Sequence, residues 1–202
     1  SPWDCLANSR LLFIHIPKTG GISIKNNLIP EGHLYKHYPA LTYKIFSPAK
    51  FSRAKKFAFV RNPYSRLYST YCFFCKGGIG GKEKTIIKWC RENIGGMSFE
   101  DFVFSLKEKK FRDIVLNQKH FSPQYRWLQD ERGEIAVNFI GHVESFEDDW
   151  HALADYLELN AGEPSHLNRS TIDDWASVYT DAMKDVVARV YENDFNILGY
   201  KP

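Results

Sequence analysis

The sequence lacks several features that would place it in a broad class at once. No apolar run reaches the roughly 18 residues of a membrane-spanning helix. The net charge is only +3 over 202 residues. That is too little for a general nucleic-acid coat, although it leaves room for a local basic pocket that takes an acidic ligand. No signal peptide is visible at Ser1, and there is no internal repeat or low-complexity tract. Cysteine is sparse, with four in the chain: Cys5, Cys72, Cys75 and Cys90. Cys72 and Cys75 form a CxxC, but no second CxxC or HxxxH completes a zinc site. Inside the aromatic stretch YSTYCFFCK they read as free, largely buried thiols.

What is present is globular: 44% apolar and 15% aromatic residues, enough for one domain over residues 1–202. Buried strands are expected at residues 10–16, 56–60 and 135–143, with helices at 23–28, 63–75, 98–106, 146–158 and 180–194. SFED at 98–101 is a near capping box. Strands separated by helices predict an α/β fold: three layers, with a central, mainly parallel sheet flanked by helices. Residues 76–96, rich in glycine and lysine, read as a flexible loop with a short helix in its middle.

The first strand stops at Pro17-Lys18-Thr19-Gly20-Gly21, and a helix follows. A strand, a glycine turn and a helix N-terminus together make an anion site, because the first backbone N–H groups lack partners and the macrodipole is positive there. Lys18 supplies a mobile charge; Thr19 and Ser23 offer hydroxyls. This is not the nucleoside triphosphate loop GxxxxGK[ST], since Lys18 precedes the glycines. Where a kinase of that type ends a neighbouring strand in an acid for Mg²⁺, this chain ends KFAFV in Arg61. An arginine at that place fits direct contact with an anion. Ser65 and Ser69 share a face of the following helix, so that Arg61 and Ser69 could converge on one phosphate.

HIPKTGGISI followed by FAFVRNPYSRLYS closely resembles the two nucleotide-binding elements of the sulfotransferases that use 3′-phosphoadenosine 5′-phosphosulfate (PAPS). The resemblance is to the carbohydrate-type branch with its many small bacterial members. It continues through VNFIGHVESFEDDW, HLNRS and RVYENDFNILGY. It implies a fold like that of P-loop NTPases, and PAPS as co-substrate with no metal. The 5′-phosphosulfate would meet Lys18, Thr19, Gly20, Gly21, Ile22 and Ser23, and the 3′-phosphate would meet Arg61 and Ser69. Arg169 would belong to a loop closing over the nucleotide.

Sulfuryl transfer to a hydroxyl also needs a general base. His37 is the first choice, with His120 and then His33 or Glu31 behind it. His15, on the buried strand, reads as a core histidine that shapes the loop, and Glu144 as a tether between loops. Ile22 stands where many relatives have threonine, and His142 where arginine is common. Lys82, Lys84 and Lys88 could serve an acidic acceptor, and Trp127 could line an acceptor pocket. The acceptor itself, a glycan or a small molecule, is not fixed by the sequence. Neither nucleic acid nor membrane is expected as a partner. Compact size and the absence of a disulfide framework point to the cytoplasm, with the Golgi lumen as the alternative. The rival readings are a PAPS-binding protein without turnover and a nucleotide kinase.

Overall fold

The computed structural model describes residues 11–28, 37–159 and 174–202. In chain order the elements are β1 (Leu11–Ile14), α1 (Gly21–Leu28), α2 (Ala40–Phe46), α3 (Pro48–Arg53), β2 (Lys55–Val60), α4 (Pro63–Cys75), α5 (Lys84–Asn93) and α6 (Phe99–Ser105). There follow α7 (Lys109–Asn117), α8 (Tyr125–Leu128), β3 (Phe139–His142), α9 (Phe146–Leu157), α10 (Asp181–Val190) and α11 (Glu192–Leu198). The chain divides into two compact units. One is drawn from Ser1–Asn62 and Gln124–Arg169, the other from Pro63–Pro123 and Ser170–Pro202.

The first unit carries the sheet. Its strands run parallel in the order β1-β2-β3, with Ile14 opposite Ala58 and Val60 opposite His142. Helices flank this parallel sheet, the α/β architecture that the alternation of strands and helices predicts. The central β2 is buried from Lys56 to Val60, which is why KFAFV shows no polar alternation. On one face Phe13, Phe57 and Phe59 pack with Ile24 of α1 and with Phe146, Trp150, Leu153 and Leu157 of α9. Those four α9 positions recur at the helical period, so the helix lays a single apolar stripe on the sheet. Lys56 falls on the opposite face. Its ammonium donates to the carbonyls of Phe51 (3.1 Å) and Ala54 (2.8 Å), and burial lowers its pKa.

β3 is shorter than the 135–143 run predicts, for a local reason. Ile135 forms an antiparallel bridge with Gln129, and Ala136 N–H donates to Leu128 O at 2.8 Å. The turn between them passes through Gly133 at φ +79. Residues 135 and 136 are therefore spent on a small hairpin before the chain joins the sheet. Joining starts at Asn138, whose N–H donates to Lys56 O and whose side chain accepts from Lys56 N–H.

The second unit is helical among its described residues and is built on aromatics. Tyr64, Phe74, Phe102, Phe121, Tyr191 and Phe195 are all buried in one cluster. Tyrosines survive there because their hydroxyls reach carbonyls: Tyr179 to Tyr64 O (2.8 Å), Tyr191 to Phe121 O (2.8 Å) and Tyr71 to Met97 O (2.7 Å). Ser98 caps α6 by accepting from Asp101 N–H, as SFED predicts. The expected helix 180–194 is broken at Tyr191, whose φ of −111 leaves the helical range, and α11 begins anew. Within 76–96 the helical part is larger than expected. The ten residues of α5 form a helix, anchored by Ile86 in the core and by Trp89 against Phe74 at 4.9 Å.

Candidate active site

Parallel pairing puts the carboxyl ends of all three strands on one edge of the sheet, and in open α/β sheets that edge is where ligands bind. Three loops of the first unit leave from it: residues 15–20 after β1, Arg61-Asn62 after β2, and the turn carrying Glu144 after β3.

The first loop is wound tightly. Lys18 and Gly20 both take left-handed backbone, φ +70 and +73. For Lys18 that costs on the order of 1 kcal/mol, offset by the bonds that follow. Thr19 is fully buried and its hydroxyl donates to Ile16 O at 2.9 Å, so its side chain braces the turn. Ser23 N–H donates to Gly20 O at 3.0 Å, and α1 starts at Gly21, two residues before the position expected from the sequence. Lys18 and Gly20 are half-buried, Ser23 is buried and Ile22 is 54% exposed. The first turn of α1 and the Lys18 charge thus occur in one short segment.

Gly21 has a steric reason to be glycine. A Cβ there would land on the ring of His15. His15 is the buried, loop-shaping residue that the sequence predicts, 8% exposed and stacked on Phe13 at 5.3 Å. It also meets His37, ring centroid to ring centroid 4.0 Å. Phe57, Phe13, His15 and His37 therefore form a column of rings rising from the sheet to the loop. Trp127 meets His37 edge-on at 6.5 Å. The Nδ1 of His37 lies 3.1 Å from His15 O. A carbonyl oxygen only accepts, so Nδ1 carries the proton. A neutral His37 then has its basic lone pair on Nε2.

Arg61 is held by its backbone. The buried carboxamide of Gln124 accepts from Arg61 N–H at 2.9 Å and donates to Arg61 O at 2.7 Å. Next along the chain, Asn62 N–H donates to Glu144 Oε1 at 2.7 Å, which is the tether expected of Glu144. Gln124 has no sequence signal; only the fold reveals it. His142 sits with Asp149, whose carboxylate accepts from His142 N–H and from the Ser145 hydroxyl.

The first unit thus carries Lys18, Thr19, Gly20, Gly21, Ile22, Ser23, Arg61 and His37. Ser69 lies on α4 of the second unit, buried like Ser65. His120 also lies in the second unit, packed between Phe73 and Phe74 at 5.3 and 5.4 Å, with its carbonyl accepting from the buried Arg66 guanidinium at 3.0 Å. These are the surroundings of a core histidine. Glu31, His33 and Arg169 fall outside the described residues. Cys72, Cys75 and Cys90 form no disulfide, but Cys75 is exposed and the other two are half-buried, against the expectation of largely buried thiols. No three His, Cys, Asp or Glu among the described residues are grouped to hold a metal ion. No helix among them is long and apolar enough to cross a membrane.

A cationic glycine loop and a strand-end arginine thus leave one edge of a parallel sheet flanked by helices, which makes this an α/β protein. The sulfotransferase family model matches residues 6–201, and the chain belongs to the sulfotransferase family. A curated relative, carbohydrate sulfotransferase 12 of Mus musculus, is 24% identical over 206 residues, covering 85% of this chain and 49% of the relative. The chain therefore spans about half the length of that relative.

Proposed function

We propose that the protein transfers the sulfuryl group of PAPS to a hydroxyl of a carbohydrate acceptor. The observation that carries this reading is the shared carboxyl edge of the sheet, which sends out both the Lys18 loop and Arg61. The 5′-phosphosulfate lies against residues 18–23, bound by first-turn N–H groups and by Lys18. The guanidinium fork of Arg61 takes the 3′-phosphate. Ser69 and Arg169 join the donor site on the sequence motifs alone. The carbohydrate acceptor is inferred from the name of the mouse relative.

In the reaction the acceptor oxygen attacks sulfur in line with the bond to the bridging oxygen. That bond breaks, its electron pair stays on the phosphate, and 3′-phosphoadenosine 5′-phosphate (PAP) leaves. Lys18 and the positive end of α1 stabilise the charge as it grows. The acceptor proton passes to Nε2 of His37, whose Nδ1–H is engaged by His15 O. His15 is the positioning residue, since it supplies both that carbonyl and the ring against which His37 packs.

Calorimetric titration with PAP, AMP and ATP in the absence of magnesium tests the donor site. PAP should bind best, and Arg61→Ala should weaken it by roughly 10–100-fold, the loss of a charge-assisted contact. His37→Ala should leave PAP affinity unchanged and lower turnover with labelled PAPS by about 100-fold or more. Tighter binding of ATP, dependent on magnesium, would overturn the sulfotransferase reading. Unchanged turnover in His37→Ala would remove the base assignment alone.

A further inference from the structure

Two stretches far apart in sequence meet in the first unit. One is α2, which is seven residues long and has no side-chain cap at Pro39, so it is too short to hold its place alone. The proposed base is attached to it: His37 and Tyr38 lead into Pro39, and Tyr38 meets Tyr43 of α2 edge-on at 6.0 Å. The other stretch is α8 with the hairpin after it. This segment is fixed, since Gln124, Trp127 and Leu128 are buried and Gln124 grips the Arg61 backbone. At the far end of α2 from His37, the Lys44 ammonium donates to Asp130 Oδ2 at 3.1 Å and to Glu131 Oε1 at 2.8 Å. We propose that Lys44 is a positioning residue for His37: its bonds to Asp130 and Glu131 lock α2 to the segment that grips Arg61, and so hold Nδ1 of His37 against His15 O. The role rests on the sulfotransferase reading, in which His37 is the base.

Exposed ion pairs contribute little, because both side chains must be ordered to form them. Here one partner is ordered beforehand. Asp130 Oδ1 accepts from Arg132 N–H at 2.9 Å and from Glu134 N–H at 3.2 Å, while Asp130 N–H donates to Glu134 O at 2.9 Å. These bonds close the turn through Gly133, and Oδ2 is the oxygen that meets Lys44. The Asp130 side chain is only 12% exposed. Charge agrees with geometry: the bonds to Glu131 and Asp130 raise the Lys44 pKa, and Lys44 lowers that of Glu131.

Two contacts at opposite ends of α2 thus tie it to one segment. His37 meets Trp127 edge-on before the helix, and Lys44 meets Asp130 in its last turn. Without the second contact, α2 is held by its buried Ala40 and Tyr43 and can pivot on them. Only Tyr38 and Pro39 separate His37 from the helix, and proline stiffens that link. Movement of α2 is therefore passed to the imidazole, and a hydrogen bond already 3.1 Å long tolerates little of it.

The test reads the His37 tautomer in the whole protein from long-range proton–nitrogen correlation spectra, at a pH where the ring is neutral. The His37 signals are those missing from His37→Ala. The wild type should carry the proton on Nδ1. Lys44→Met keeps the aliphatic stem without the charge, and should shift the ring toward the Nε2–H form that an unconstrained side chain prefers. Lys44→Arg should keep the Nδ1–H form. Asp130→Asn retains an oxygen for the two turn N–H groups and should shift the tautomer as Lys44→Met does. The two changes combined should move it no further than Lys44→Met alone. A tautomer unchanged in Lys44→Met, lost in Lys44→Arg, or shifted additively in the double variant would overturn the proposal, whatever happens to Tm. Should Lys44→Met fail to fold, Asp130→Asn decides. Calorimetry with PAP separates the two readings. A wild type that does not bind PAP would overturn the sulfotransferase reading and this role with it. An unchanged tautomer beside normal PAP binding would overturn the role of Lys44 alone.

Discussion

The carboxamide of Gln124 spends both its ends on Arg61, accepting from its N–H and donating to its carbonyl. A carboxamide can do this because it carries a donor and an acceptor side by side. Gln124→Leu would leave two backbone groups unanswered at a site where the side chain is fully buried. Each such group costs about 1–3 kcal/mol, so a loss of about 2–4 kcal/mol is expected in urea denaturation. PAP affinity should fall as well, although Gln124 itself is not assigned a ligand contact, because the Arg61 backbone loses its clamp. Unchanged PAP affinity in a folded Gln124→Leu protein would show that Arg61 is positioned without it. The sequence gives no warning of this residue: the clamp joins positions 63 apart, and FSPQYRWL carries no pattern that marks the glutamine. His15 was easier to read, since a polar residue within LLFIHI must be buried. What could not be read is that its ring fixes Gly21 on one side and carries His37 on the other.

Among elements, legibility follows how local the cause is. The bounds of α4 and the cap of α6 depend on neighbouring residues, Pro63 and Ser98, and both are visible in the sequence. The shortening of β3 depends on Gln129 pairing with Ile135, and the break at Tyr191 accompanies a hydroxyl bond to Phe121 O. The first pairing spans six residues through a hairpin and the second spans 70, and a helical or strand periodicity registers neither. α7 lies between these cases. Its cap is Glu108, a residue type that seldom caps, in a run KEKK that resembles a solvated charged face. Glu108 accepts from Lys110 N–H at 2.8 Å and from Phe111 N–H at 2.5 Å, and these bonds, Phe111 first, lower its pKa below the usual 4.5. A depressed carboxylate stabilises above its unfolded pKa and loses that contribution as pH falls through the folded value. Glu108→Gln should therefore melt below the wild type at pH 7, with the gap closing as pH drops under about 4.5. A gap in Tm that persists unchanged at pH 3 would mean that the carboxylate charge is not what caps α7.

For the molecule as a whole, two motifs in the right order were enough to anticipate that the Lys18 loop and Arg61 leave one edge of the sheet. If both strands are parallel neighbours, the loops that follow them must leave the sheet on the same side. The pairing of Ile14 with Ala58 meets that condition. The division into two units was not legible, because the second unit is assembled from two separate segments, Pro63–Pro123 and Ser170–Pro202, and its helices follow the same apolar period as those of the first. The proposed donor site has a consequence for global stability that does not depend on catalysis. A ligand that binds only the folded chain stabilises it by RT ln(1 + [L]/Kd), about 2.7 kcal/mol at a hundredfold excess over Kd. For a chain of this length that corresponds to a rise in Tm of roughly 5–10 °C. PAP should produce this rise, and AMP at the same concentration should produce less, because it lacks the 3′-phosphate assigned to Arg61. Arg61→Ala should bring the PAP response down to the AMP level while leaving the AMP response unchanged. Equal shifts with PAP and AMP in the wild type would place the 3′-phosphate away from Arg61. Since the net charge is only +3, the proposed site would draw PAP through Lys18 and Arg61 and owe little to the field of the whole protein. Moving from about 50 to 150 mM salt should then weaken PAP binding severalfold and not abolish it, as expected for contacts shorter than the Debye length of roughly 8 Å at that ionic strength.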